Sequence, residues 1–599
     1  MKNIKIRLRK IKFLLQSVFK NFSSLLLFFK YIRNEDIYEN NKHILLAANW
    51  LLKAQETGGD DGYSRGFYLY KSGWDKSYIE TTGYIIPTML EVYEKTKDER
   101  YYESAYKAGI WLLGVQKDNG AFTDIDNDIE LVFDTGQVLY GLIALYENEK
   151  IDKDSKEKFK IASYKACEWL CSVQDIDGSW TAYGFNKIPH SYYSRVASIL
   201  YKAGCVFKND EFKKCADKNI SWVLSRQKEN GFFDNLKFQA DEENVLHTMI
   251  YVLEGLFDYY TYTQRADILD SLLKNTNVLK EININKELLL SSQYNDKFES
   301  VNNERCITGL AQWANLSFKL YELTKDDEYL LCARKTLYYI KSKQFKEGND
   351  LMGSLPGSVP FWGVYAPFSA VNWSVKFFID ALLQSNKYKF SLIEDSNLWI
   401  GECFKFNNDV VDTKLTYTAQ NYIKILSKYI KDSHNILDLG CGKGKYINIF
   451  NSKFENKNIV GIDPYYYNDK NIFIGDTYTI NSNIKFDLIY CIEVLQHVKY
   501  IDVAIDNIKN NLVEKNGMLI ICDRNPISVI GFLKSIWEFR GKWMYSFDSP
   551  FIEKWYTIDR WKQMLAKHDF TVYKTYAFCS RGGIRSMMNR YSVIIARRK

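Results

Sequence analysis

Between Asn435 and Asp523 the chain sets out glycines and carboxylates at spacings that could hold a nucleoside and bring a base up to it. The run Asn435-Ile436-Leu437-Asp438-Leu439-Gly440-Cys441-Gly442-Lys443-Gly444 reads as a buried strand and a glycine-rich turn. Residues without a Cβ let the backbone approach a ligand there and point its amides inward. About twenty residues on, Ile459-Val460-Gly461-Ile462-Asp463 is a second apolar strand ending in an acid, placed to bridge two ribose hydroxyls. Phe473-Ile474-Gly475-Asp476 ends a third strand with another acid. A fourth strand and its turn run through Glu493-Val494-Leu495-Gln496-His497, and residues 516–523 form a fifth. His497 falls at the carboxyl end of the fourth strand, where it could act as a general base or simply brace the turn.

Alternating strand and helix signals mark a parallel α/β sheet. Over nearly all of residues 413–599 the pattern resembles the class I S-adenosylmethionine (SAM)-dependent methyltransferases, near the type 11 and ubiquinone-biosynthesis O-methyltransferase group. The resemblance implies a Rossmann-like domain with Gly440, Gly442 and Gly444 along the methionine part of the cofactor and Asp438 anchoring the loop. It implies Asp463 on the ribose and Asp476 on the adenine amine, with Cys441 and Glu493 also counted as cofactor-binding. The Asp-Leu-Gly-Cys-Gly opening and the Glu-Val-Leu-x-His turn separate it from a nicotinamide-binding domain. Methyl transfer is an in-line displacement at a sulfonium methyl, so alignment is most of the task. An alcohol acceptor still needs a base, and His497 is the candidate. Metal-using relatives carry Glu-Val-x-Glu-His; Gln496 replaces the second acid here, and no metal is expected.

Earlier in the chain an aromatic residue or Leu is followed five positions later by Gln. The pairs are Trp50/Gln55, Trp111/Gln116, Trp169/Gln174, Trp222/Gln227, Leu288/Gln293 and Tyr339/Gln344. Successive starts lie 61, 58, 53, 66 and 51 residues apart, slightly more than two helices and two loops need. A glycine turn such as Asp118-Asn119-Gly120 often follows, and its Gly ends the helix in a left-handed conformation. Between these marks lie apolar helical stretches at 80–96, 134–147, 191–203, 243–259, 306–323 and 372–385, several opening on a capping residue such as Asp134, Ser191 or Asn372. Six such pairs close into an all-α ring, an (α/α)6 toroid over residues 41–390, with inner helices apolar nearly all round.

The Trp-Leu-x-x-x-Gln-x-x-x-Gly-x-aromatic element resembles the QW repeat of triterpene cyclases. More broadly the region resembles the six-hairpin superfamily of glycosidases, polysaccharide lyases and glucuronyl C5-epimerases. The Asp-x-Asp-Asp acid of the cyclases is missing, which leaves isoprenoid chemistry as the alternative and a glycan as the expectation. In such a toroid the ligand sits at the mouth where the inner helices start. The sequence places Glu80, Asp134, His190, Tyr192, Tyr193, Arg195, Glu243, His247 and Arg305 there. His247 and Tyr192 are the residues singled out. With a carboxylate they could move a proton at a sugar carbon while an Arg pairs a uronate, or each could serve ordinary capping and core hydrogen bonding. Asp124-Ile125-Asp126-Asn127-Asp128 could hold Ca²⁺ through alternate oxygens or be a solvated loop. The stretch 353–365, rich in rings and Pro, reads as a sugar-stacking lip or as the closure of the ring.

Charge narrows the partners. Residues 1–33 hold nine Lys and Arg and no acid, which leaves 71 basic against 73 acidic residues in the rest of the chain. A nucleic-acid-binding body would carry the basic patch itself, so no nucleic acid is expected. Within residues 1–40, Leu14, Val18, Phe22, Leu25 and Phe29 share one helical face with Leu15, Phe19 and Leu26, opposite Gln16, Lys20, Ser23 and Lys30. That pattern fits a helix in an anionic membrane surface through residues 1–34, or one packed on the protein's own body. Its polar interruptions and lack of a small-residue cleavage site argue against a span or a signal peptide. Eleven Cys without a C-x-x-C pair then point to a reducing cytoplasm. Cys167 and Cys171, one helical turn apart, read as core thiols. Aromatics at 16% fit either sugar stacking or a large helical core. The expected protein is a SAM-dependent methyltransferase of cell-surface polysaccharide, cytoplasmic and peripheral on the inner membrane face. Its toroid binds or alters the same glycan or glycolipid, or serves as a scaffold only. Residues 391–412 are read as the linker.

Overall fold

The computed structural model describes residues 2–31, 37–124, 126–239, 241–392, 394–395, 398, 402, 417–464, 471–478, 480, 484–498, 500–524, 556–578 and 591–599. Most of the expected linker, the boundary at 413 and Ile125 lie outside the described residues. The chain divides into two compact units, Met1–Leu392 and Ile393–Lys599.

The first unit begins with α1 (Lys2–Lys20) and α2 (Phe22–Tyr31), bent by 119° at Asn21. Among the described residues twelve helices then alternate between two concentric layers. The outer layer is α3 (Asn40–Glu56), α5 (Glu99–Val115), α7 (Lys153–Ser172), α9 (Asp210–Ser225), α11 (Ala266–Glu281) and α13 (Asp327–Lys343). The inner layer is α4 (Ile79–Thr96), α6 (Val132–Glu147), α8 (Ser194–Val206), α10 (Leu246–Thr263), α12 (Ile307–Thr324) and α14 (Asn372–Ser385). Each inner helix packs on the next, and α14 returns to α4. Enclosed on both sides, an inner helix such as α6 buries nearly every residue from Val132 to Leu145, which is why these stretches lack a polar stripe.

The repeated Gln is the joint between neighbours. Gln55 Nε2 donates to Ser104 O (3.0 Å), Gln116 to Ala162 O (2.9 Å), Gln174 to Cys215 O (2.9 Å) and Gln227 to Ser271 O (2.8 Å). Each bond runs from the end of one outer helix to the backbone of the next. Gln116 Nε2 also donates to Gly120 O (3.0 Å), and a Cβ on Gly120 would lie 2.3 Å from Lys165 O. The Gly is therefore required by close approach to the next helix as well as by its φ of +95°. The fifth pair, Leu288/Gln293, is a correction. Here α11 runs into a π-helical turn (Ile282–Lys286), and Gln293 lies beyond it in a two-residue strand. The joint is made in reverse, by buried Lys335 Nζ of α13 donating to Asn283 O. Counted through Asn283, the joint residues Gln227, Asn283 and Gln344 lie 56 and 61 positions apart, so the spacings 66 and 51 reflect the misplaced pair.

The capping expectation also needs correcting. Carboxylate and amide side-chain caps in this unit sit on outer helices, at Asp98, Asp152, Asn209 and Asp326, while the inner α12 is capped by the Cys306 thiol, which accepts from Gly309 N (3.4 Å). Asp134 lies inside the first turn of α6, Ser191 opens a separate short 3-10 turn, and Asn372 is the first residue of α14, where its Nδ2 donates to Ser64 O (2.8 Å) and Thr81 Oγ1 (2.7 Å). Five of the six inner helices are entered from extended segments and α8 from the 3-10 turn at Ser191–Tyr193, so their first polar residues can face the mouth or tie the ring.

The second unit is a seven-stranded sheet: β1 (Asn435–Leu439), β2 (Asn458–Asp463), β3 (Ile472–Ile474), β4 (Leu488–Ile492), β5 (Met518–Arg524), β6 (Phe570–Phe578) and β7 (Tyr591–Arg598). The order is β3-β2-β1-β4-β5-β7-β6, with β1 to β5 parallel and β7 antiparallel to both neighbours. Alternate residues face opposite layers. Ile436, Leu488 and Ile520 meet α15 (Tyr417–Ile430) and α16 (Lys445–Lys453), while Leu437, Ile489 and Leu519 meet α17 (Ile501–Asn511) and α18 (Ile558–Lys567). This is the Rossmann-like α/β class expected, extended by two strands that the sequence reading had not singled out.

Candidate functional sites

The parallel strands of the second unit gather the glycine turn, Asp463, Asp476 and Glu493 at the carboxyl ends of β1 to β4. Gly440 N donates to Ile462 O (2.8 Å) and Gly442 N to Asp463 Oδ2 (2.8 Å), so β2 holds the turn that follows β1. Gly440 has φ +73°, and a Cβ there would lie 2.5 Å from Val494. Gly442 has φ +54°, and a Cβ there would meet nothing within 4 Å. The backbone is thus packed on the β4 side and open above Gly442, where a ligand can lie along it. Cys441 Sγ packs into the space left by the absent side chain of Gly461.

Glu493, the first residue after β4, is held at φ +57° while its N–H donates to Cys522 O (2.8 Å). A non-glycine residue in that region is strained, and such strain concentrates at functional sites. Asp476 Oδ1 accepts from Tyr478 N (2.7 Å) just after β3. Asp438 is buried beneath the turn; burial first, opposed by the Tyr490 hydroxyl and aided by the charge of Asp463, pushes its carboxyl up to about 8. The Asp463–Gly442 bond holds the turn from β2, with Asp438 buried beneath it at the end of β1. His497 ends the short turn after β4, and its Nε2 accepts from Gln496 Nε2 (3.0 Å). No cluster of three potential metal ligands occurs among the described residues.

The toroid has a second polar site at the start of α4 and α6. Tyr78 OH donates to Glu80 Oε2 (2.6 Å), and Asp134 Oδ2 is buried without a hydrogen-bond partner. Burial first, opposed by Tyr78 and Arg65, pushes the Glu80 carboxyl up to about 7. Burial and the charge of Glu80 raise Asp134. Arg65, which faces both acids, lies 4.7 Å from the Tyr78 ring and donates to Asp126 Oδ2 (3.0 Å).

Partly exposed rings continue the lining. Tyr78 meets Trp373 (6.3 Å), Trp373 Nε1 donates to Tyr365 OH (2.9 Å), and Tyr365 lies 5.5 Å from His247. The stretch 353–365 therefore brings Tyr365 to the site. Beyond it, Ser369–Val371 pairs with Gly66–Tyr68 to close the ring.

His247 and Tyr192 are not direct partners. His247 lies 4.2 Å from Tyr251, one helical turn on, with the rings tilted by 49°, and Tyr192 stacks 4.5 Å from His190; the Tyr192 and Tyr251 rings are 6.5 Å apart. Burial, against a bond to Gln312, pushes His247 down to about 3, so its ring is neutral at pH 7. Its Nδ1 donates to Gln312 Oε1 (2.6 Å), an orientation fixed by Gln312 Nε2 donating to Glu254 (2.9 Å). The Arg residues expected to take a uronate are used internally: Arg195 pairs with Glu254 (2.7 Å), and Arg305 donates to Ser291 (3.1 Å). Arg65, Tyr78 and Tyr251 were missed. Tyr251 was legible at i+4 from His247, whereas Arg65 and Tyr78 lie outside any helix. Of the described residues in the Asp124–Asp128 string, Asp126 pairs with Arg65 and Asp128 with Lys117 (2.8 Å). Cys167 is a buried core thiol, as expected.

Residues 411–575 match a family model described as a methyltransferase domain. No curated protein matches the chain. Among solved structures, an unsaturated glucuronyl hydrolase specific for heparin is similar at 16% identity and TM-score 0.47, over 59% of this chain and 98% of that one. Cellobiose 2-epimerase from Bacillus thermoamylovorans is similar at 14% identity and TM-score 0.46, over 56% and 95%. A SAM-dependent methyltransferase from Thermotoga maritima, titled a possible histamine N-methyltransferase, is similar at 13% identity and TM-score 0.26, over 33% and 100%.

Proposed function

We infer, from a second unit that is a SAM-dependent methyltransferase, that this chain methylates a hydroxyl or carboxyl of a cell-surface polysaccharide, and that its toroid mouth binds the same glycan. The observation behind the cofactor assignment is the open space above Gly442, whose amide is fixed by Asp463. These residues fit SAM: glycine backbone for the methionine part, Asp463 for the ribose and Asp476 for the adenine. When bound, the cofactor supplies an electrophilic methyl. The protein then has to align the acceptor and remove its proton, and His497 takes that proton at Nε2 once Gln496 yields it.

The glycan reading is supported by the mouth itself, where Tyr78, Trp373 and Tyr365 offer partly exposed rings beside two carboxyls and Arg65. Its test is mass spectrometry of surface glycans made with the wild-type chain and with Asp463→Ala. Loss of one CH₂ unit from a sugar in the variant is expected; identical glycans overturn the reading.

A second reading is that the toroid is itself catalytic. Glu80 and Asp134 are two buried carboxyls at neighbouring helix starts, both raised by burial and Asp134 also by the charge of Glu80, the kind of displaced pair that acid and base chemistry on a sugar uses. Incubating the full chain with a uronate-containing glycan and no methyl donor tests it. Turnover abolished by Glu80→Gln is expected, and an unchanged glycan leaves the toroid a binding scaffold.

A further inference from the structure

We propose that α1 and α2 form a docking face for an anionic bilayer that sets the toroid mouth against the membrane, so that the glycan it takes is one anchored there. The substrate part rests on the glycan reading above; the docking part does not.

One side of the leader is committed to the mouth. Asn21 Nδ2, at the bend, donates to Leu69 O (2.8 Å) and Lys71 O (3.0 Å) in the hairpin that leads into α4. Phe13 stacks on Tyr70 (3.8 Å), and Phe28 and Phe29 pack on Phe361 (5.2 and 5.0 Å) in the lip that carries Tyr365. Lys10 pairs with Glu304 (3.2 Å), just before α12, and Glu304 also accepts from Val364 N in the lip. The half of the leader that packs on the protein's own body is therefore seated on the loops that frame the acid pair.

The other side is apolar and uncovered. Of the 25 exposed large apolar residues described in the chain, eight fall between Leu8 and Leu26, with Phe19 87%, Leu8 60%, Phe22 56%, Leu15 55%, Ile11 55% and Leu26 51% exposed. A concentration of that kind on a soluble surface marks an interaction site. Arg9, Lys12 and Lys20 are exposed along the same strip, and residues 1–33 contain no acid. Charge selects the occupant. A second copy docked strip to strip would oppose Arg9, Lys12 and Lys20 with the same three cations, whereas anionic headgroups neutralise them while the apolar side chains enter the interface. No single described helix is long and apolar enough to cross a membrane. The bent pair could do so only by opening the 119° bend and breaking the Asn21 bonds, so the leader lies in the interface.

The test is co-sedimentation of the full chain with phosphatidylcholine vesicles, either neutral or about 30% phosphatidylglycerol. Binding only to the anionic vesicles is expected, weakened by high salt. The triple variant Leu15→Ser, Phe19→Ser, Phe22→Ser changes exposed positions only and should reduce binding at least about tenfold. No binding by the wild-type chain, equal binding to neutral vesicles, or an unchanged variant overturns the proposal. A solution dimer that the variant converts to monomer, with no vesicle binding, also overturns it and assigns the strip to a second copy. In parallel, methyl transfer to a soluble oligosaccharide should survive in the variant, while the advantage of the same saccharide on a lipid anchor is lost. A chain that binds vesicles but methylates neither saccharide refutes the glycan reading and leaves the docking face standing.

Discussion

Gln344 Nε2 donates to the backbone carbonyl of His43, 301 positions earlier, at 3.1 Å, while His43 Nδ1 shares a bond of 2.5 Å with Gln344 Oε1. Four other outer helices end in a Gln that reaches the next outer helix. This one reaches the first, so the residue type that links neighbours also closes the ring. The joint is fully buried on both sides. Gln344→Leu strands a backbone carbonyl and an imidazole nitrogen and should cost the toroid about 1–3 kcal/mol. Urea unfolding followed by Trp fluorescence measures it, and a loss below about 0.5 kcal/mol, the range of surface substitutions, would show that packing alone closes the ring.

Gly440 and Gly442 should separate under Ala substitution. At Gly440 the added methyl runs into Val494, so Gly440→Ala lowers both stability and SAM affinity. At Gly442 there is space, and the left-handed backbone alone costs about 1–2 kcal/mol. Gly442→Ala should therefore stay folded yet lose SAM affinity at least about tenfold, since one missed contact of about 1.4 kcal/mol is that factor. Calorimetric titration with SAM beside a thermal melt distinguishes them.

Asp463→Asn keeps an oxygen that can accept from Gly442 N but loses the charge offered to ribose hydroxyls. Stability should hardly change, while SAM affinity falls by about tenfold or more. A variant that unfolds would mean that Asp463 is mainly a loop anchor.

Glu80 provides a pH test. Its carboxyl is raised in the folded chain to about 7, above the unfolded value of about 4.3. Burying it therefore costs stability as pH rises through that interval and leaves the chain fully penalised above it. Glu80→Gln should melt higher than wild type at pH 8, and the gain should shrink towards pH 4. A pH-independent difference would place Glu80 in a solvated position.

His568 runs the opposite way. Burial would lower its pKa, but bonds to Asp502 (2.9 Å) and Asp506 (2.6 Å) outweigh it and raise the value. The contribution is present below the unfolded value of about 6.5 and fades as pH rises through the folded one. The melting-point gap between wild type and His568→Gln should be widest near pH 6 and vanish at alkaline pH, with no gap at either pH if the exposed carboxylates are fully screened.

Local pattern made the architecture of both units legible, because strand alternation, glycine turns and helix-length apolar stretches are short-range properties. Six helix pairs and a glycine turn followed by spaced acids needed no tertiary information. The fifth joint was misplaced because a π-helical turn shifts the helix end without changing composition, and its substitute, Lys335, comes from the opposite partner. The toroid acids were named, but their partners were not: Tyr78 and Arg65 are brought to Glu80 and Asp134 by chain entry and ring geometry, which no periodicity records.

Sequence by itself determined the spaced acids of the cofactor turn, the twelve-helix count and the basic, acid-free leader, each carried by residue type at fixed spacing. Tertiary structure alone decided that the Asp463 carboxylate reaches across from β2 to hold Gly442 N while Asp438 lies buried beneath the turn. It decided that Arg195 is spent on Glu254, that His247 is neutral, and that the leader keeps one apolar face against the mouth and leaves the other outside. Those outcomes depend on which groups lose water and which meet across hundreds of residues, and only the folded ring sets that.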